Sequence, residues 1–157
     1  MNADPSVDVV RTAVDVPVPP ARAFAVFTAG LDTWWNRGHH LLDGEPAEVW
    51  IEPRVGGAVR ERTVDGRTCD GGRVLRWEPD EVFAFSWPIG PDWAVPAPDA
   101  PTSRVTVTFT PTGAGTRVEL VHDRIDRHGD GWEPLRDAVA GPGGRPSHLA
   151  AYARATG

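Results

Sequence analysis

Lysine is absent from the chain, and all 16 of its basic residues are arginine. That excludes chemistry requiring an ε-amino group: Schiff-base catalysis, pyridoxal phosphate enzymes, the P-loop lysine and the phosphate-pairing lysine of protein kinases. Only one cysteine is present, Cys69, which rules out an intramolecular disulfide and fits a reducing compartment. It has no histidine near it in sequence, and no GxSxG elbow exists, so nucleophilic catalysis is poorly supported. No glycine-rich turn follows a strand and opens a helix, and neither HExxH nor a Cys/His cluster occurs. No cofactor and no metal are therefore expected. No apolar run approaches a membrane span, and Met1-Asn2-Ala3-Asp4-Pro5 lacks the basic and apolar regions of a signal peptide. A cytoplasmic location without a membrane partner is the expectation. A net charge of −6 argues against nucleic acid as a partner, since phosphate binding needs a basic face.

What is present suits one soluble domain. At 157 residues the chain should bury about 68–70% of its unfolded surface. Val7 to Val16 alternates as a first strand, ended by Pro17-Val18-Pro19-Pro20. Pro19 or Pro20 opens a helix through Thr28 with Ala23, Phe24 and Phe27 as its buried stripe, and Leu31 to Trp35 adds one more helical turn. Six strands follow: Ala47–Glu52, Ala58–Val64, Arg67 or Thr68–Trp77, Glu81–Trp87, Ser103–Thr110 and Thr116–Asp123. Asp65-Gly66 is a strong hairpin signal and Gly71-Gly72 marks a bulge. The five prolines between Pro88 and Pro101 make a stiff loop. Trp132, Leu135 and Val139 recur at helical spacing, as do Leu149, Tyr152 and Ala153 after a break at residues 141–146. Hairpin-linked strands with helices at both ends imply an α+β layered fold with an antiparallel sheet.

Glu52-Pro53-Arg54-Val55-Gly56-Gly57, Asp65-Gly66, Gly72-Arg73-Val74-Leu75, Trp77-Glu78-Pro79 and Phe85-Ser86-Trp87 together resemble the START-like (SRPBCC) superfamily. Within it they are similar to the branch named after the activator of the 90-kDa heat-shock protein's ATPase. Trp34-Trp35 and Gly131-Trp132 fit the same pattern. The resemblance covers residues 7 to 156 as a single domain, leaving 1 to 6 as a short tail. It implies a helix-grip fold, with a curved antiparallel sheet wrapped on a C-terminal helix and a cavity between them. It also implies an apolar or amphipathic small-molecule partner. One position departs from the pattern: where many relatives carry Gly-Gly-Trp-Pro before the final helix, this chain has Arg145 in place of the tryptophan. Two other activities stay open: an interaction module acting on a chaperone ATPase, and a cyclase- or dehydratase-like enzyme. A monomer or homodimer is expected.

The candidate ligand-binding residues are Trp34, Trp35, Trp50, Glu61, Phe85, Trp87, Leu120 and Tyr152. Seven tryptophans are more than a small core needs, yet each also has an ordinary reading as core or loop filler. For acid–base work the candidates are His122, in register with Val118 and Leu120, His148, and Tyr152 one helical turn further. Each histidine could equally be a hydrogen-bonded core residue. Adjacent His39 and His40 would bind one ion only from a loop, and Asp126-Arg127-His128 reads as solvated charge at a strand end. On the strand 58–64, either Glu61 or the pair Arg60 and Arg62 must face inward, and the inward charge is a functional candidate.

Overall fold

Fixed proline φ angles mark where the first and last helices begin. In the computed structural model, which describes residues 9–36, 38–39, 41–97 and 99–157, β1 (Val10–Val16) gives way through Pro17 and Pro19 to α1 (Pro20–Phe27). Pro20 occupies the first helical position, where its missing N–H costs nothing. Ala23, Phe24, Val26 and Phe27 form the buried face of α1. A single turn, α2 (Leu31–Trp34), follows from Gly30. The strands are β2 (Pro46–Ile51), β3 (Ala58–Thr63), β4 (Thr68–Glu78), β5 (Val82–Trp87), β6 (Ser103–Thr112) and β7 (Gly115–Asp123). A 3-10 turn (Ile125–His128), α3 (Trp132–Ala140) and α4 (Arg145–Thr156) complete the chain. The tail expected at residues 1–6 and His40 lie outside the described residues.

All seven strands join one antiparallel sheet in the order β1-β7-β6-β5-β4-β3-β2. This is the helix-grip arrangement: the sheet curls around α4, and the two short helices after β1 cover one end. Curvature has a local cause. Between β3 and β4 the pairing moves from Ala58↔Arg73 to Arg60↔Asp70, so β4 carries one extra residue at Gly71-Gly72. Such a bulge bends its strand and increases the twist. The concave face carries Val74, Phe83, Val105, Val107, Phe109, Val118 and Leu120, all buried, and α1 and α4 close over one half of it. Phe24 and Phe27 meet Phe109 edge-on at centroid distances of 5.2 and 5.9 Å. From α4, Leu149 and Tyr152 enter this core, while Ala153 packs against it half-buried.

Two expectations need adjustment. Pro46 is the first residue of β2 rather than loop, a position a proline tolerates at the start of an edge strand. In the segment after β7, Asp126 and Arg127 are exposed charges as expected, but Ile125 and His128 are buried in the 3-10 turn.

Glycine is required where strands approach closely. Gly72 has φ +144°, and a Cβ there would stand 1.9 Å from the Ser86 carbonyl oxygen on β5. Gly66, in the hairpin turn at φ +92°, has open space around it. Gly66→Ala should therefore cost only the left-handed strain, about 1–2 kcal/mol. Gly72→Ala adds a steric clash that only parting β4 from β5 relieves, and should cost at least twice as much in urea unfolding. Equal losses would refute this account of the bulge.

Candidate functional site

The half of the concave face that the helices leave uncovered is a cavity of about 310 Å³. Phe83, Phe85 and Trp87, alternate residues of β5, line it beside Val105 of β6 and Leu120 of β7. Val49 and Ile51 of β2 and Val59 and Glu61 of β3 form a second wall. Leu31, Trp34 and Trp35 close one side, and Val139, Gly144, Arg145 and His148 close another. Exposed Gly38, Trp93, Ala138 and Gly143 form the rim. The lining is mainly aromatic and aliphatic; His39, Arg145 and His148 make one polar end, and Arg60 and Glu61 a second polar patch on the β3 wall.

That polar end is built around Arg145, the first residue of α4, which is only 4% exposed. A guanidinium can only donate hydrogen bonds, so it dictates the protons of its neighbours. Nε donates to His122 Nδ1 at 3.3 Å, which leaves the His122 proton on Nε2. His122 Nε2–H then donates to Ser103 Oγ at 2.7 Å; the Ser103 hydroxyl donates to the Trp87 carbonyl at 3.4 Å and also lies 2.8 Å from His128 Nε2. On the other branch, Nη1 donates to His148 Nδ1 at 3.4 Å. His148 Nε2–H in turn donates to His39 Nδ1 at 2.9 Å, and the last proton of this branch is on His39 Nε2. The guanidinium carbon lies 5.1 Å from the centre of the Trp87 ring, in cation–π range. Nη2 is buried without a hydrogen-bond partner among the described residues. Among the described residues no carboxylate pairs with Arg145. Glu61, the acidic group in the wall, accepts instead from the backbone N–H groups of Leu41 and Leu42 at 2.7 and 3.1 Å.

A break in the chain places Arg145 here. Gly144 separates α3 from α4, and a Cβ at that position would lie 2.2 Å from the Val139 carbonyl oxygen. Only glycine lets α4 start this close to the end of α3, and Pro146 then serves as an early helical residue.

The model of the family described as Activator of Hsp90 ATPase homolog 1-like protein matches residues 17–136. The chain belongs to this family. Among solved structures, the anthrahydroquino-gamma-pyrone synthase Txn09 is 38% identical, with 93% of this chain and 95% of that chain covered and a TM-score of 0.64. Protein Ms6760 from Mycobacterium smegmatis is 19% identical over 99% of this chain and 94% of its own, with a TM-score of 0.66. DynU16, from the dynemicin biosynthetic locus, is 21% identical over 94% of this chain and 46% of its own, with a TM-score of 0.58. The last two show the fold alone. No curated protein matches the sequence.

Against the Activator of Hsp90 ATPase homolog 1-like fold, the expected site residues divide. Trp34, Trp35, Glu61, Phe85, Trp87, Leu120 and His148 all line the cavity. Trp50 does not, because Val49 and Ile51 face inward and alternation turns Trp50 to the other side. Tyr152 does not either: it is fully buried among Phe27 and Trp34, and its hydroxyl donates to the Ala23 carbonyl at 2.8 Å. His122 stands behind Trp87 and Arg145 with both ring nitrogens engaged, outside the lining. On β3 the inward face is Val59, Glu61 and Thr63; Arg62 pairs with Glu48, and Arg60, at the cavity edge, pairs with Asp70. Arg145, His39, Ser103 and His128 were not foreseen as one network. The departure at Arg145 was the only signal in the sequence. His39, considered above only as a metal ligand, pairs with His148 instead; among the described residues no group of three potential ligands forms.

Burial, and then the Arg145 charge, push His122 down to about 2 and His148 down to about 3. His39 is lowered for the same two reasons in the same order, and His128 by burial. All four imidazoles are therefore neutral at pH 7. Burial also pushes Arg145 down to about 10, so it stays charged at neutral pH. Keeping that charge buried costs about 3 kcal/mol at any pH below 10, taking about 1.4 kcal/mol per pH unit. The histidines make a pH prediction. Their native pKa values lie below the unfolded value of 6.5, so the unfolded chain takes up protons first as pH falls. The histidines should leave stability nearly constant between about pH 7 and 8 and should lower it from pH 6.5 downward, His122 and His148 each adding up to about 1.4 kcal/mol per pH unit. His148→Asn should reduce the slope of urea-unfolding free energy between pH 4.5 and 6 by about one proton; an unchanged slope would mean that His148 titrates normally.

Proposed function

We propose that the protein binds one planar, largely apolar small molecule bearing a hydrogen-bond acceptor at one end. The observation that carries this reading is the cavity itself: about 310 Å³, walled by Trp34, Trp35, Phe83, Phe85 and Trp87, with donors at its polar end. Pockets of this size that are mainly aromatic with few convergent polar groups are the usual form of small-ligand sites. Flat rings suit the walls, since Trp87 and Phe85 present faces and edges rather than a flexible aliphatic channel. The acceptor follows from the donor-only Arg145 and the terminal His39 N–H.

A second reading, that the bound molecule is a substrate, is favoured by one observation. The relative sharing 38% identity is an anthrahydroquino-gamma-pyrone synthase. On this reading the ligand is a polycyclic aromatic compound undergoing ring formation. Neutral His39 offers its Nε2–H to the carbonyl oxygen as a hydrogen-bond donor rather than acting as a strong base, and His148, both of whose ring nitrogens are engaged, holds His39 in that tautomer. The name of the family does not bring chaperone activation with it, because one fold hosts many activities.

Titration with uncharged planar aromatics such as anthraquinone should change tryptophan emission saturably, with one molecule bound per chain. Trp87→Phe, which keeps most of the ring volume, should weaken binding several-fold with a smaller effect on stability. If no such compound perturbs the emission, the binding reading is wrong. The substrate of the Txn09 synthase separates the two readings: conversion by the wild type, lost in His148→Ala with affinity retained, marks an enzyme. Binding without conversion marks a carrier or sensor.

A further inference from the structure

Arg145 is an expensive residue for its position. Its guanidinium is fully desolvated, its Nη2 makes no hydrogen bond, and it has no carboxylate partner among the described residues. Its two engaged donors go to neutral imidazoles at 3.3 and 3.4 Å, both long for hydrogen bonds of this kind. Buried cations in folded proteins are paired, and a cation kept without a partner marks a place where one arrives. The surroundings reinforce the sign of the missing group. Arg145 is the first residue of the 12-residue α4, whose N-terminal end carries partial positive charge and faces the cavity through Gly143 and Gly144. Glu61, the acidic side chain of the opposite wall, is held by two backbone N–H groups of its own.

We propose that Arg145 is the anion-binding residue of the cavity and that the natural ligand carries a negatively charged oxygen, a carboxylate or the phenolate or enolate of an aromatic ring system, against its guanidinium. This rests on the ligand-binding reading above and narrows it to an acidic, ring-containing class. The Trp87 face and the two imidazoles hold the guanidinium at a fixed place and tilt, so the anion fixes which end of the ligand enters first. The apolar walls then decide how far the ring system extends toward Trp93 at the rim.

Three probes with one ring skeleton test this by calorimetry: anthraquinone-2-carboxylate, its uncharged carboxamide, and 2-hydroxyanthraquinone. In the wild type the carboxylate should bind at least about tenfold more tightly than the amide, as a charge-assisted bond in a dry site requires. Arg145→Met keeps the length of the side chain and removes the charge. It should bring the two within about twofold by weakening the carboxylate far more than the amide, which loses only a neutral hydrogen bond, and it should unfold at higher temperature than the wild type. Arg145→Lys should restore part of the preference. Tightening of 2-hydroxyanthraquinone as pH rises through its own phenol pKa, absent in Arg145→Met, would identify the phenolate as the preferred anion; no such tightening leaves the carboxylate. Equal affinity for carboxylate and amide in the wild type, or a preference that survives in Arg145→Met, overturns the assignment while leaving the cavity a binding site. If uncharged anthraquinone and all three probes fail to bind, the cavity reading itself fails and the anion site with it.

Discussion

A guanidinium has five N–H groups and no lone pair to offer, and the polar end of this cavity is arranged around that asymmetry. Because Arg145 can only give protons away, His122 and His148 must each present an unprotonated Nδ1 to it. The proton order follows outward to Ser103 on one side and to His39 on the other. The same charge helps keep both adjacent imidazoles neutral, so a site containing several histidines holds a single cation. The result is a wall of oriented donors facing aromatic surface.

The sheet supplies what that wall requires. Curvature at the Gly71-Gly72 bulge gives a concave face deeper than α1 and α4 can fill. The filled half holds the core: Phe24, Phe27, Phe109, Leu149 and Tyr152 are all buried there. The open half keeps Trp87, Phe85 and Leu120 exposed to the cavity rather than to another side chain. One surface thus serves stability at one end and recognition at the other, and Trp34 belongs to both, since it packs on Tyr152 and lines the cavity.

Most of the fold was legible in the residues. Proline punctuation, the Asp65-Gly66 turn, the double-glycine bulge and period-two alternation all act locally, over the few residues a reader can see together. The cavity walls were partly legible for the same reason: alternation on β5 places Phe83, Phe85 and Trp87 on one side. Alternation should also have excluded Trp50, had the inward side of β2 been known. The Arg145 network was beyond such reasoning, because it joins residues 39, 103, 122, 128, 145 and 148 through the closure of the whole sheet. Tyr152 and His122 were misplaced by the same limit: both point inward, yet what stands between them and the open space is set by tertiary packing. His128 is the clearest case, a residue within a run of charges that is nonetheless buried.

The glycine at 144 ties two histories together. With no room for a Cβ against the Val139 carbonyl, any side chain there would shift the start of α4 and carry residue 145 with it. A descendant that changed Gly144 alone would lose the geometry that makes a cation at 145 useful, and would retain its desolvation as a burden. One that exchanged Arg145 for an apolar residue would be free to drift in what it binds. A cation at 145 should therefore occur among relatives only behind a glycine at 144, while that glycine can equally precede an apolar residue, so that ligand chemistry in a newly sequenced one can be anticipated from two adjacent letters.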